Sequence, residues 1–317
     1  MKVDYLRLSI TDRCNLRCTY CMPPEGVPPR SHGEILSFEE LAVVARVAVG
    51  CGVSKVRITG GEPLVRHGCA ELVGMLARTS GIHDISLTTN GILLPQYASQ
   101  LRREGLGRVN VSLDSLDPER FARLTRGGRL DAALAGLASA FDAGFSPIKV
   151  NAVLVEGIED ELDAFVDLTR EREVHVRFIE FMPLDRRLGG ACGVAGRRLV
   201  PAPEVLLRLK ERYRLVSDQG PYGHGPARYW RLPGARGSLG FVAGVSDHFC
   251  GSCNRLRLTA DGRLRTCLFS GEEVDVRPFL NRPADLRRVI EAAVAGKRYD
   301  RHREALANLR AMSEIGG

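Results

Sequence analysis

No stretch of this 317-residue chain approaches the 18 or more consecutive apolar residues of a membrane span, so an integral helical membrane protein is excluded. The N-terminus, Met1-Lys2-Val3-Asp4-Tyr5, has no apolar signal core, which points away from secretion and toward the cytoplasm. An even set of cysteines is missing too: with nine, a fully paired disulfide framework is impossible within one chain. Nor is there a large charge excess. Lys plus Arg outnumber Asp plus Glu by 45 to 38, and this +7 suits an anionic ligand but is too small and too dispersed for a nucleic-acid surface. There is no low-complexity tract, and 44% hydrophobic with 26% charged residues is the make-up of a globular protein of one or two domains.

The first 183 residues alternate β-rich runs with segments of helical period. Strands are read at Tyr5–Thr11, Lys55–Thr59, Asp84–Thr89, Arg108–Leu113, Ile148–Val155 and His175–Met182. Between them, Ser37–Gly50 opens on an S-x-x-E capping box and sets Phe38, Leu41 and Ala45 on one face. Helices at Cys69–Arg78, Gln96–Glu104, Asp131–Ala143 and Asp160–Arg172 follow, three of them stopping at Gly81, Gly105 and Gly144. Successive βα units imply a parallel sheet, because parallel neighbours need a crossover. Six units fall short of a closed barrel. The expected fold class is therefore α/β, an open, partial β/α barrel of six units, with a doubly wound sheet as the alternative. The Gly-rich stretch Gly189–Gly196 reads as the exit into a C-terminal α+β extension, with a helix at Ala202–Arg212, short strands and a last helix near Ala284–Ala295. The domains expected are 1–200 and 201–317.

Six of the nine cysteines are clustered, and in a chain without an export signal that points to a metal or catalytic site. Cys14, Cys18 and Cys21 form a C-x3-C-x2-C run directly after the first strand. Three thiolates on a short loop can hold three corners of an iron–sulfur cubane. The fourth iron is then open to a small molecule that offers an amine and a carboxylate. A zinc knuckle completed by His32 is the alternative. The run, with Tyr20 before its last cysteine, resembles the radical S-adenosylmethionine superfamily. Gly60-Gly61-Glu62-Pro63 after the second strand resembles that family's GGEP element, whose paired glycines admit a ligand close to the backbone. The resemblance implies S-adenosylmethionine on the open iron, cleaved by one electron to methionine and a 5′-deoxyadenosyl radical. Polar residues recur at strand ends, where parallel barrels build their sites: Thr88-Thr89-Asn90, Ser112-Leu113-Asp114 and Met182-Pro183, with Lys149 and Asn151 sharing a face of the fifth strand.

Cys250, Cys253 and Cys267 form a second triad, C-x2-C-x13-C. Leu256 and Leu258 alternate before Asp261-Gly262, and Leu264 follows, a hairpin pattern that returns Cys267 to the C-x2-C pair. A zinc ribbon completed by His248 is the alternative here. Arg255 and Arg257 share one face of the strand, and two guanidiniums beside a metal site suit a polyphosphate.

With both triads the chain resembles one branch of the superfamily, the GTP 3′,8-cyclases that open molybdenum cofactor biosynthesis. The resemblance runs through Tyr5–Cys14, Val56–Leu64, Leu87–Gly91, Asn110–Asp114, Lys149–Asn151, Arg177–Met182, Gly225–Ala227 and Phe249–Arg257 to the tail Gly316-Gly317. It implies two 4Fe–4S clusters, on Cys14, Cys18, Cys21 and on Cys250, Cys253, Cys267, and GTP conversion to 3′,8-cyclo-7,8-dihydro-GTP. Arg7, Arg57, Thr88, Lys149, Arg177, Arg255 and Arg257 would contact GTP, and Tyr20, Gly61, Ser112 and Met182 would contact S-adenosylmethionine. Arg7, Arg255, Arg257, Gly316 and Gly317 would be the catalytic residues, the last two threading a slender carboxylate-ended tail into the pocket. Implied partners are a flavodoxin or ferredoxin as electron donor, a downstream enzyme forming cyclic pyranopterin, and a second copy in a homodimer; no nucleic acid or membrane is expected. The chain starts thirteen residues before Cys14, short of the family's usual leader, and Asp185–Arg198 does not resemble the family's loop. Cys51, Cys69 and Cys192 match no motif. A peptide-modifying twin-cluster enzyme and a zinc-bearing nucleic-acid module are the rival readings.

Overall fold

The computed structural model describes residues 3–28, 30–182, 184, 198–221, 223, 225–297 and 310–316. Cys192, Pro183, Gly317 and the stretch 185–197 named above lie outside the described residues.

The parallel strands come first: β1 (Tyr5–Ser9), β2 (Lys55–Thr59), β3 (Asp84–Thr89), β4 (Arg108–Ser112), β5 (Ile148–Leu154) and β6 (Val174–Glu180). They neighbour one another in chain order, each pair parallel. The crossovers are α1 (Phe38–Gly50), α2 (Cys69–Ala77), α3 (Leu94–Arg103), α4 (Pro118–Thr125), α5 (Leu130–Asp142) and α6 (Leu162–Glu171). In α1 the Ser37 side chain accepts from the Glu40 amide at 3.2 Å, while the Glu40 carboxylate accepts from the Ser37 amide at 2.7 Å. Such a cap is worth about 1 kcal/mol. Helix α4 is not in the sequence reading. It is short and Arg-rich, yet Asp117 caps it and Phe121 and Leu124 bury its inner face.

The C-terminal region holds α7 (Ala202–Arg212), β7 (Val216–Asp218), β8 (Arg228–Arg231), β9 (Ser238–Val242), β10 (Arg255–Leu258), β11 (Arg263–Arg265), β12 (Val274–Asp275), α8 (Pro283–Ala295) and α9 (Met312–Ile315). It is not a separate layer. Strand β9 joins β6 in parallel and β10 joins β1 in parallel, so the one sheet runs β12-β11-β10-β1-β2-β3-β4-β5-β6-β9-β8-β7 and stays open.

Alternation along these strands separates two environments. Leu6, Leu8, Val56, Ile58, Val109, Val111, Val176 and Phe178 point outward and are buried under the helices. Each such side chain stabilises the fold by roughly 1.5–3 kcal/mol. The opposite parity carries Arg7, Arg57, Lys149, Arg177 and Arg257, which the sheet's curvature gathers into a concave chamber. Register places Arg257 opposite Arg7, and Arg7 opposite Arg57.

Candidate active site

The first triad follows β1 at the C-terminal edge of the sheet. Its loop is held from below: the Gly61 amide donates to the Thr11 carbonyl and the Glu62 amide to the Arg13 carbonyl, both at 2.8 Å. A Cβ on Gly61 would run into the Arg13 carbonyl and lie 2.7 Å from that of Asp12, so no larger residue fits between the GGEP turn and the cysteine loop. The Glu62 carboxylate is buried and accepts from the amides of Leu64 and Asn90 and from the Thr89 hydroxyl, at 3.0, 2.6 and 2.8 Å. Burial pushes it up to about 7 against those hydrogen bonds. The Asn90 amide group turns back to the loop, 2.7 Å from Asn15 Oδ1 and 3.9 Å from Cys14 Sγ.

Burial pushes the Cys14 thiol up to about 11 and Cys21 to about 12, and lifts Cys18 well above the usual thiol range. Cys14 and Cys21 add to the rise of Cys18, and Cys14 to that of Cys21. They become thiolates together only when something strongly cationic binds them, which fits a metal–sulfur cluster. Tyr20 donates to the buried Asp114 carboxylate, which also accepts from the Val153 amide at 2.8 Å. That fixes the Tyr20 ring at the top of β4 and β5, edge-on to Phe181. Ser112 ends β4 on the same rim, and Met182 lies past β6 beside Gly244, packed on the cluster of Leu184, Phe269 and Ile315.

Below the rim lie the cations. Arg7 is held well below its ordinary value by burial and then by Arg257 and Arg57. Burial, with Arg255 beside it, takes Arg257 down to about 9, and burial takes Arg177 down to about 10. Lys149 falls to about 6 through burial and the nearby Arg177, Arg108 and Arg57. Arg177 donates to Asn151 Oδ1 and Asn110 Oδ1, both at 2.8 Å, and Arg57 to the Ser86 hydroxyl at 3.2 Å. The Thr88 hydroxyl is buried without a hydrogen-bond partner among the described residues. Like charges directly opposite on neighbouring strands are destabilising. A row of three inward guanidiniums is therefore a place where an anion would be stabilised. The sequence reading missed Arg108, His175 and Tyr229 in this chamber. The first is legible as the residue two before Asn110 on the same face of β4; the other two needed the pairing of β6, β9 and β8.

The second triad sits at the other end. Cys250 opens a short turn (Cys250–Ser252) that Cys253 closes at the N-terminal end of β10, and the β10–β11 hairpin brings back Cys267. The Asp4 and Tyr5 amides both donate to the Asn254 carbonyl at 3.3 Å, which sets Cys253 level with the start of β1. The two triads are thus separated by the five residues of β1, roughly 17 Å at a strand's rise, with the cations between. Burial alone would raise Cys253, but Arg255 and Lys297 outweigh it and bring the thiol down to about 7. Arg255 itself stacks 4.9 Å over the Phe249 ring. Among the described residues no three His, Cys, Asp or Glu side chains are placed to hold a single metal ion. Cys69 is buried in α2 and Cys51 is half-buried after α1, both packed in the hydrophobic core.

The tail reaches the chamber. Arg310 pairs with Asp261 and Glu273, Ile315 is fully buried beside Phe269 and Leu184, and the Gly316 carbonyl accepts from Arg257 at 2.8 Å. A Cβ on Gly316 would lie 2.7 Å from Thr59 Cγ2 and 2.9 Å from Ser9 Cβ, at a positive φ of 81°.

Comparison with known families defines the class first. Residues 8–169 match the radical SAM superfamily and residues 174–303 match the family described as Molybdenum Cofactor Synthesis C. Among solved structures, Streptococcus suis SuiB bound to its precursor peptide SuiA shares the fold, with a TM-score of 0.64 at 14% identity over 92% of this chain and 67% of that one. The chain is 50% identical to the GTP 3′,8-cyclase of Pelotomaculum thermopropionicum, over 100% of this chain and 98% of that protein. It is 46% identical to that of Moorella thermoacetica over the same shares. The chain belongs to the GTP 3′,8-cyclase family of radical SAM proteins.

Proposed function

We propose that this chain converts GTP to 3′,8-cyclo-7,8-dihydro-GTP, the first step of molybdenum cofactor synthesis, in a chamber bracketed by two cysteine triads. The observation that carries the reading is the row of Arg257, Arg7 and Arg57 strung between the triads. Cys14, Cys18 and Cys21 would hold the cluster that binds S-adenosylmethionine, and Cys250, Cys253 and Cys267 a second 4Fe–4S cluster next to the guanine. When bound, the first cluster and S-adenosylmethionine supply one-electron chemistry that yields an organic radical able to abstract hydrogen.

The protein's own residues bind and orient. Arg7, Arg57, Lys149, Arg177, Arg255 and Arg257 neutralise the triphosphate, with Thr88 donating or accepting beside them. Tyr20, pinned by Asp114, offers a ring to the adenine. Gly61 offers open backbone, and Ser112 and Met182 flank the nucleoside on the rim. Gly316, held by Arg257, narrows the space around the substrate. No side chain is asked to act as general base in the bond-forming step. Residues 1–200 then carry the radical source and 201–317 the second cluster, while one sheet joins them and both supply the residues proposed to hold the substrate.

A low-potential donor such as flavodoxin or ferredoxin, a downstream enzyme forming cyclic pyranopterin, a homodimer and a cytoplasmic location complete the proposal. No helix among the described residues is long and apolar enough to cross a membrane. The test is metal analysis with turnover: about eight iron per anaerobically prepared chain, and 5′-deoxyadenosine formed from S-adenosylmethionine when GTP is present, are expected. Stoichiometric zinc without 5′-deoxyadenosine contradicts the proposal.

A further inference from the structure

Lys297 lies just past the last turn of α8, in none of the motifs that mark the site, yet it is buried, with 6% of its surface exposed. Its ammonium donates to the Arg255 carbonyl at 2.8 Å and also to the Thr266 carbonyl. Those two carbonyls belong to different limbs of the second triad. Arg255 is two residues beyond Cys253, and Thr266 immediately precedes Cys267. The same ammonium reaches the Cys253 thiol, and the charge of Cys267 acts on it as well. A helix packed on the outside of β11 thus sends one cation through to the place where the cysteine limbs meet.

A buried ammonium is costly unless its three donors are used and opposite charge is near. Here backbone carbonyls and thiols provide both. An apolar residue of equal length would fill the space but take the donor from two part-buried carbonyls. The arrangement is therefore more than packing.

We propose that Lys297 is a positioning residue of the second triad, stapling the Cys253 and Cys267 limbs at cluster spacing and holding a fixed positive charge beside their sulfurs. The inference rests on the reading of that triad as a cluster site. A fixed cation next to a cluster favours its reduced, more negative form, so losing it lowers the reduction potential.

The test uses the chain with Cys14, Cys18 and Cys21 all changed to Ala, so that only the second triad loads iron. Parent, Lys297→Met, Lys297→Gln and Lys297→Arg proteins are loaded anaerobically, analysed for iron, and titrated by electron paramagnetic resonance. About four iron per parent chain is expected. Lys297→Met should lose at least half of it, or keep it with the one-electron equilibrium shifted tenfold or more toward oxidised, 59 mV lower. Lys297→Arg should restore iron content and potential, and Lys297→Gln, which keeps donors without charge, should retain iron at the lowered potential. Should Lys297→Met fail to fold by circular dichroism, the Gln and Arg pair decides. Neutral variants equal to the parent in both iron and potential, or an Arg variant no better than Met or Gln, overturn the role of Lys297. A folded parent that loads no iron overturns the cluster reading itself, and the inference with it.

Discussion

Lys149 is the residue whose chemistry is most changed by where the chain puts it. Burial and three neighbouring guanidiniums bring it down to about 6, so in the free site at pH 7.5 it is mostly neutral. A bound triphosphate reverses the sign of the local field and raises it again. GTP binding should then take up close to one proton at that pH. Affinity should fall as pH rises above about 6, by up to tenfold per unit, until the raised value in the complex is passed. Calorimetry in two buffers of different ionisation enthalpy measures the uptake; Lys149→Met should abolish it, and equal heats for the wild-type chain contradict the assignment. His175, down at about 4 through burial and Lys149, does not titrate in that window. At the same scale, Arg255→Ala removes a charge-assisted contact of about 1.5–3 kcal/mol, so GTP affinity should drop about 10- to 150-fold with iron content unchanged. Unaltered affinity counts against its role. The cysteine triads and the Arg255–Arg257 pair are legible in the sequence because spacing and alternation are local, whereas Arg7, Arg57, Lys149 and Arg177 are implied as substrate contacts by the family resemblance. Lys297 is not, because its partners at Arg255 and Thr266 lie 42 and 31 residues away.

At the scale of elements, loops and strand ends carry the strictest constraints. Gly61→Ala would drive a methyl into the Arg13 carbonyl and against that of Asp12, backbone atoms that cannot yield without moving the first cysteine loop. It should cost about 1–3 kcal/mol in thermal unfolding and about four of the eight iron, read by melting and metal analysis. Full iron loading would show that the turn does not set the loop. Gly316→Val meets side-chain and strand atoms of Thr59 and Ser9 instead. Product formation should fall at least tenfold with both clusters intact; unchanged turnover would remove the tail from the site. The strands β2 and β3 and helix α7 have the bounds their sequences predict, and the other parallel strands differ by a residue or two at their ends. What sequence periodicity could not reveal is the pairing of β10 with β1, about 250 residues apart, or of β9 with β6. A strand's pattern shows that it needs a neighbour and not which one.

On the scale of the whole molecule, that hidden pairing changes the meaning of the C-terminal region. By adding β10 to one edge and β9 to the other, the chain lines one chamber with residues from both ends and sets its triads at opposite ends of β1. On the proposed function, one nucleotide and one adenosyl group would meet between them, with the triphosphate on the cation row. The measurement that tests this most directly is isotope transfer. Reduced, fully loaded protein is incubated anaerobically with S-adenosylmethionine and GTP deuterated at ribose C3′, and the 5′-deoxyadenosine is weighed by mass spectrometry. Deuterium in that product is the predicted result. Undeuterated 5′-deoxyadenosine, with GTP left unconverted, would mean that the two ends of the chamber do not serve one reaction.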